Sequence, residues 1–139
     1  MAQDYAKVLR GQGRDCKVIG RGEESAKAFS EQTGIEAQLG GLEAALAHSP
    51  APREAIVAVG VEQLAASAKA LIAAGTQRIL LEKPGALDLA ELQSLAANAR
   101  ATDTEIWIAY NRRFYASVRK AREWIEADGG LVSCFFEFS

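Results

Sequence analysis

The 139-residue chain has one histidine, His48, and two cysteines, Cys16 and Cys134, far apart in the sequence. A zinc site needs several Cys, His or carboxylate ligands at close spacing, so no metal site is expected. The two thiols read as packing residues in apolar surroundings rather than a disulfide framework, which suits the cytoplasm. No apolar run approaches the roughly 20 residues of a membrane span, and "MAQDYAKVLRGQG" lacks a signal-peptide core. Nor is there a basic surplus: 16 Lys and Arg stand against 18 Asp and Glu, a formal charge of −2. That balance argues against nucleic acid as a partner. Internal repeats, low-complexity tracts and linkers are absent too. What is present is globular chemistry, 49% hydrophobic and 24% charged, in a length that suits one domain with a real core.

The order of elements is legible from periodicity. "MAQDYAKVLRGQG" puts Ala2, Tyr5, Ala6, Val8 and Leu9 on one helical face before glycines stop it. "CKVIG" is a brief β-branched run, and "EESAKAFSEQTG" is helical with Gly34 as its C-terminal stop. Residues 35–39 suggest a short strand, "LEAALAHS" a short helix, and the two prolines of "SPAPRE" a loop. Strand and helix then alternate: "AIVAV", "EQLAASAKALIAAG", "RILL", "DLAELQSLAANAR", "EIWIAY", "YASVRKAREWIEADGG" and "LVSCFFEF". Asp88 and Glu91 fit the capping pattern of a helix start. Strands apolar on both faces, joined by helical crossovers, predict an α/β fold with a doubly wound, mostly parallel, Rossmann-like sheet.

In such a sheet every strand-to-helix loop emerges at one edge, where ligands bind. Those loops are "GRGEES" (residues 20–25), "GVEQ" (60–63), "EKPGALD" (82–88) and "YNRRF" (110–114). A phosphate-cradling G-x-G-x-x-G turn between a strand and a helix is not among them. "GQGRDC" follows a helix, and "GRGEES" has Ser25 in sixth position with Glu23 and Glu24 turned against phosphate. The first helix looks like the one that follows a phosphate loop, with the strand before it lacking. "CKVIGRG" then becomes a second strand, whose tip carries Gly20, Arg21 and Gly22 where NAD sites place an acid. Arg21 suits the 2′-phosphate of NADP; a solvated turn residue is the alternative.

"LLEKPGALDLAEL", followed one helix and one strand later by "AYNRRF", resembles the Gfo/Idh/MocA family of NAD(P)-dependent oxidoreductases acting mostly on sugars and cyclitols. The resemblance spans most of the chain and implies a Rossmann domain over residues 1–128. Residues 129–139 would then begin a truncated substrate and dimerisation domain. Glu82, Lys83 and Pro84 match the family's E-K-P, which implies a lysine near the nicotinamide and the substrate hydroxyl, and a shaping proline, commonly cis. A lysine ammonium can hold an oxygen whose carbon gives or takes hydride, so Lys83 is the catalytic candidate. Tyr110, Asn111 and Arg112 would bind substrate, and Arg113 the coenzyme. Gly20, Arg21, Gly22, Ser25, Gly60, Val61, Glu82 and Pro84 complete the coenzyme set, for NADP or NAD.

Two departures bear on this expectation. The family's T-P-x-x-H is replaced by "GVEQL", with Val61 at the proline and Leu64 at the histidine. The acid/base group of the family's second domain has no counterpart, since His48 reads as a surface residue. The expected activity is hydride transfer between nicotinamide and a hydroxyl carbon of a polyol or sugar-like substrate, without turnover by this chain alone. A non-catalytic module that self-associates through "LVSCFFEF" is the alternative, because an exposed apolar strand recruits another chain. Arg119, Lys120 and Arg122 read as a solvated helix face beside Val118, Ala121, Trp124 and Ile125.

Overall fold

A computed structural model describes residues 1–135 and 137. Helix α1 (Ala2–Gly11) leads to strand β1 (Val18–Ile19), α2 (Glu23–Thr33), β2 (Ala37–Gln38) and α3 (Gly41–His48). Past the prolyl loop come β3 (Glu54–Val57), α4 (Val61–Ala73), β4 (Arg78–Leu81), α5 (Leu89–Ala101) and β5 (Glu105–Ile108). A 3-10 turn over Asn111–Phe114 precedes α6 (Ala116–Ala127). The chain forms two units, Met1–Ala109 and Tyr110–Ser139. Among the described residues no helix is long and apolar enough to cross a membrane, and no cluster of potential metal ligands occurs.

In the first unit β1 pairs with β2, and β3, β4 and β5 pair in that order, all parallel. Parallel pairing follows from the helix that separates each strand from the next. No ladder joins β1 to β3. A side-chain contact does so instead: Glu54 accepts from Arg14, which precedes β1, at 2.8 Å, and within its own sheet it pairs with Arg78 of β4 at 2.7 Å. These guanidinium groups hold the exposed Glu54 carboxyl below its ordinary value of 4.5.

The main core lies where α4 and α5 cover one face of the three-stranded sheet. Val57, Ile79 and Leu81 meet Leu64, Leu71 and Leu95 there. Each fully buried aliphatic side chain contributes about 1.5–3 kcal/mol. The opposite face is less covered, since Ile56 and Trp107 remain 39% and 44% exposed. A smaller cluster of Ala6, Ala26, Phe29 and Ala37 packs α1 and α2 with β2. Gly34 ends α2 at φ 68°, the left-handed stop that its sequence position suggests.

In the second unit α6 is exposed along nearly all its length, including Val118 and Trp124, while Lys120 lies 5.7 Å over the Trp124 ring. The expected final strand does not form over residues 131–135, which have no strand partner among the described residues. A strand without a neighbour leaves its backbone groups unpaired, so local β propensity alone does not hold it. Phe136 and Phe138 of that stretch lie outside the described residues. Cys16 and Cys134 are free, but Cys134 is exposed rather than packed, because it belongs to this uncovered segment.

Candidate functional site

Three of the four anticipated loops belong to the first unit and leave the C-terminal ends of parallel strands. The loop after β1 is shaped by close packing: a Cβ on Gly20 would stand 3.2 Å from that of Ala26. Gly22 opens α2 with extended backbone, and Ser25 Oγ donates to its carbonyl at 2.9 Å. Glu23 and Glu24 occupy the first turn of α2. They suit the helix dipole and oppose a phosphate there. The exposed Arg21 reaches across to the second loop, donating from Nη2 to Gln63 Oε1 at 2.9 Å. That second loop begins α4 at Gly60 and Val61. Leu64, in the position of the family histidine, is 1% exposed and belongs to the core.

The third loop is the most built. Glu82 ends the ladder, its N–H donating to the Val57 carbonyl at 3.0 Å. Its side chain is buried. Tyr5 Oη donates to Glu82 Oε1 at 2.6 Å, and the Lys83 N–H donates to Oε2 at 3.2 Å. Lys83 and Pro84 are exposed, joined by a cis peptide bond. Gly85 follows at φ 94°, under Ile108. Asp88 then caps α5, accepting from the Glu91 N–H at 2.8 Å. The opening helix and the terminating strand thus hold Lys83 at an exposed tip, above a carboxylate that is itself held.

Tyr5 is the residue that sequence reasoning missed. Its place on the apolar face of α1 suggests packing, and burial together with the neighbouring carboxylate raises its phenol well above the ordinary range. The available signal is that a phenol turned inward needs a hydrogen-bond partner.

The fourth loop falls in the second unit. Asn111, Arg112, Arg113 and Phe114 form a single 3-10 turn ahead of α6. Tyr110 accepts from the Arg113 N–H at 3.4 Å, and the Arg113 guanidinium lies 4.9 Å from the Phe114 ring centroid. All four candidates, from Tyr110 to Arg113, are exposed.

The donor set suits parts of a dinucleotide. Arg21 offers an exposed guanidinium with donors to spare, as a ribose phosphate requires. Lys83 offers an exposed ammonium at the end of β4, the middle strand of its sheet. Residues of a glycine-rich pyrophosphate turn are not among the 139.

Residues 1–110 match the Gfo/Idh/MocA oxidoreductase family, NAD-binding Rossmann fold. Among solved structures, GenD2 from gentamicin A biosynthesis, in complex with NAD, superposes with a TM-score of 0.78 at 26% identity over 94% of this chain. The WlbA dehydrogenase from Chromobacterium violaceum, in complex with NADH and UDP-GlcNAcA, gives 0.77 at 15% identity over 91%. Biliverdin reductase from Synechocystis sp. PCC 6803, in complex with biliverdin and NADP+, gives 0.72 at 25% over 88%. This chain spans 37%, 37% and 38% of those three chains. Comparison with curated proteins returned no match.

Proposed function

Since this chain belongs to the Gfo/Idh/MocA oxidoreductase family, NAD-binding Rossmann fold, we propose that it is the coenzyme-binding part of an NAD(P)-dependent oxidoreductase. The reaction is hydride exchange between nicotinamide and a hydroxyl carbon of a sugar or cyclitol-like substrate. The observation that carries this reading is Lys83, exposed at the end of β4 and preceded by a buried, doubly hydrogen-bonded Glu82. Bound nicotinamide supplies the hydride donor or acceptor. The Lys83 ammonium holds the oxygen of the reacting carbon and stabilises the charge that develops on it. Glu82 and Pro84 set the turn, and Arg21 takes the 2′-phosphate of NADP. Gly20, Gly22, Ser25, Gly60, Val61 and Arg113 are assigned to the coenzyme; Tyr110, Asn111 and Arg112 are assigned to substrate hydroxyls.

A sugar-like substrate is supported by the UDP-GlcNAcA bound to the WlbA dehydrogenase. The reading also includes a domain boundary after residue 128 and a cytoplasmic location, the latter supported by two free thiols. We expect coenzyme binding without turnover from these 139 residues.

Titrating the purified chain with NADPH and with NADH, followed by nicotinamide fluorescence, tests the reading. Saturable binding is expected, weakened roughly tenfold or more by Lys83→Ala. Arg21→Ala should remove a preference for NADPH. Tighter NADH binding overturns the Arg21 assignment alone, and absence of binding overturns the whole. A second reading, an assembly module, is favoured by Val132 and Phe135, which are 101% and 87% exposed. It predicts concentration-dependent association in sedimentation, and no coenzyme binding.

A further inference from the structure

Glu82 is an unusual residue to bury at 6% exposure. An ionised carboxylate loses its hydration there, so hydrogen bonds or an ion pair must replace it. Among the described residues no Lys, Arg or His pairs with it. Its two oxygens are instead engaged by two uncharged donors, the Tyr5 hydroxyl at 2.6 Å and the Lys83 backbone N–H at 3.2 Å. The first contact spans 77 residues, from α1 to the end of β4. It is the shorter of the two, and short O–H···O⁻ bonds are the stronger kind.

The chain of contacts has a direction. Helix α1 is fixed by Ala6 in the smaller core cluster, one residue from Tyr5. Tyr5 therefore arrives at Glu82 with its backbone already placed. Glu82 in turn has its backbone fixed by the ladder to Val57. The carboxylate is free only to rotate, and the phenol removes that freedom. The amide it then accepts from belongs to the residue whose ammonium stands at the strand tip.

We propose that Tyr5 is a positioning residue for the Lys83 turn: its hydroxyl orients the Glu82 carboxylate, which holds the Lys83 amide and so directs the ammonium. This rests on the role given to Lys83 above. Helix α1 and the turn after β4 are thereby tied through the Glu82 carboxylate.

Hydrogen exchange by NMR on the 139-residue chain reads the effect without coenzyme. Tyr5→Phe keeps the ring and deletes the donor. It should speed exchange at the Lys83 amide roughly tenfold, the effect of one lost hydrogen bond. The β4 amides of Ile79 and Leu80 should stay as protected as before. Unchanged exchange at Lys83 overturns the proposal. Should the β4 amides also accelerate, an ultraviolet titration decides: the Tyr5 phenol should titrate late in the native protein and earlier in Glu82→Gln. A Tyr5 phenol that titrates alike in the native protein and in Glu82→Gln overturns it.

The coenzyme arm separates positioning from general support. Tyr5→Phe should weaken coenzyme binding, and Tyr5→Phe combined with Lys83→Ala should be no weaker than Lys83→Ala alone. Additive losses overturn the link. If the native chain binds neither coenzyme, the reading of Lys83 fails, and the exchange result still stands or falls by itself.

Discussion

At the scale of single residues, the turn after β4 shows how much chemistry can hide in an ordinary letter. "EKPG" announces a turn, and Glu82, Lys83 and Pro84 are legible as its polar content. Gly85 is not, because its reason is a neighbour 23 positions away. Its φ of 94° is a conformation that side chains rarely adopt, and a Cβ there would stand 2.7 Å from Ile108 Cδ1. The Ile108 methyl can turn aside, whereas the backbone strain cannot be relieved without moving the turn. Gly85→Ala should therefore cost about 1–3 kcal/mol, read as a lower urea midpoint with an unchanged slope. A midpoint equal to that of the native chain would show that the turn has another conformation open to it. Tyr5 was illegible for the same reason: a helical face shows which side is buried, but not which buried residue meets a carboxylate.

Among the elements, helices were legible nearly to their ends and strands were not. The cap of α5 explains the first part, since its signal is local. Asp88 Oδ1 accepts from the Glu91 N–H, while Glu91 Oε2 accepts from the Leu87 N–H, each at 2.8 Å. Asp88→Ala should lower stability by about 1 kcal/mol and Asp88→Asn by much less, as urea denaturation would show. An equal loss in both would locate the contribution in charge rather than in the hydrogen bond. Strand limits are set by partners instead. "AIVAV" reads as a strand through Val59, yet β3 stops at Val57, whose register partner Leu81 is the last residue of β4. "EIWIAY" likewise ends at Ile108, opposite that same Leu81. A run of β-branched residues marks where a strand is possible, and the neighbouring strand decides where it stops.

For the molecule as a whole, alternation of strand and helix made the parallel α/β architecture legible, while the division of the strands into two sheets was not. No single segment encodes it, because pairing between β1 and β3 is a property of neither. Within the first unit the two sheets are tied by side chains: Arg14 to Glu54 at one end of the strands, Arg21 to Gln63 at the other. The β1–β2 half has two paired residues per strand and a core of small side chains around Phe29. The β3–β5 half has four per strand and buried Leu and Ile. Local opening follows buried apolar contact and ladder length, so the smaller half should open first. Amides of Val18 and Gln38 should exchange faster than those of Ile79 and Leu80. Acid should widen the gap. The Glu54 carboxyl lies below its ordinary 4.5 in the folded chain, so its tie to Arg14 is fully present above that value. It is lost as pH falls through the lowered folded value. As pH falls from neutral through that lowered value, the β1–β2 amides should lose protection relative to β4, after correction for intrinsic rates. Glu54→Gln should show at neutral pH the gap that acid produces in the native chain. Equal protection in both halves at every pH would mean that the two sheets open as one.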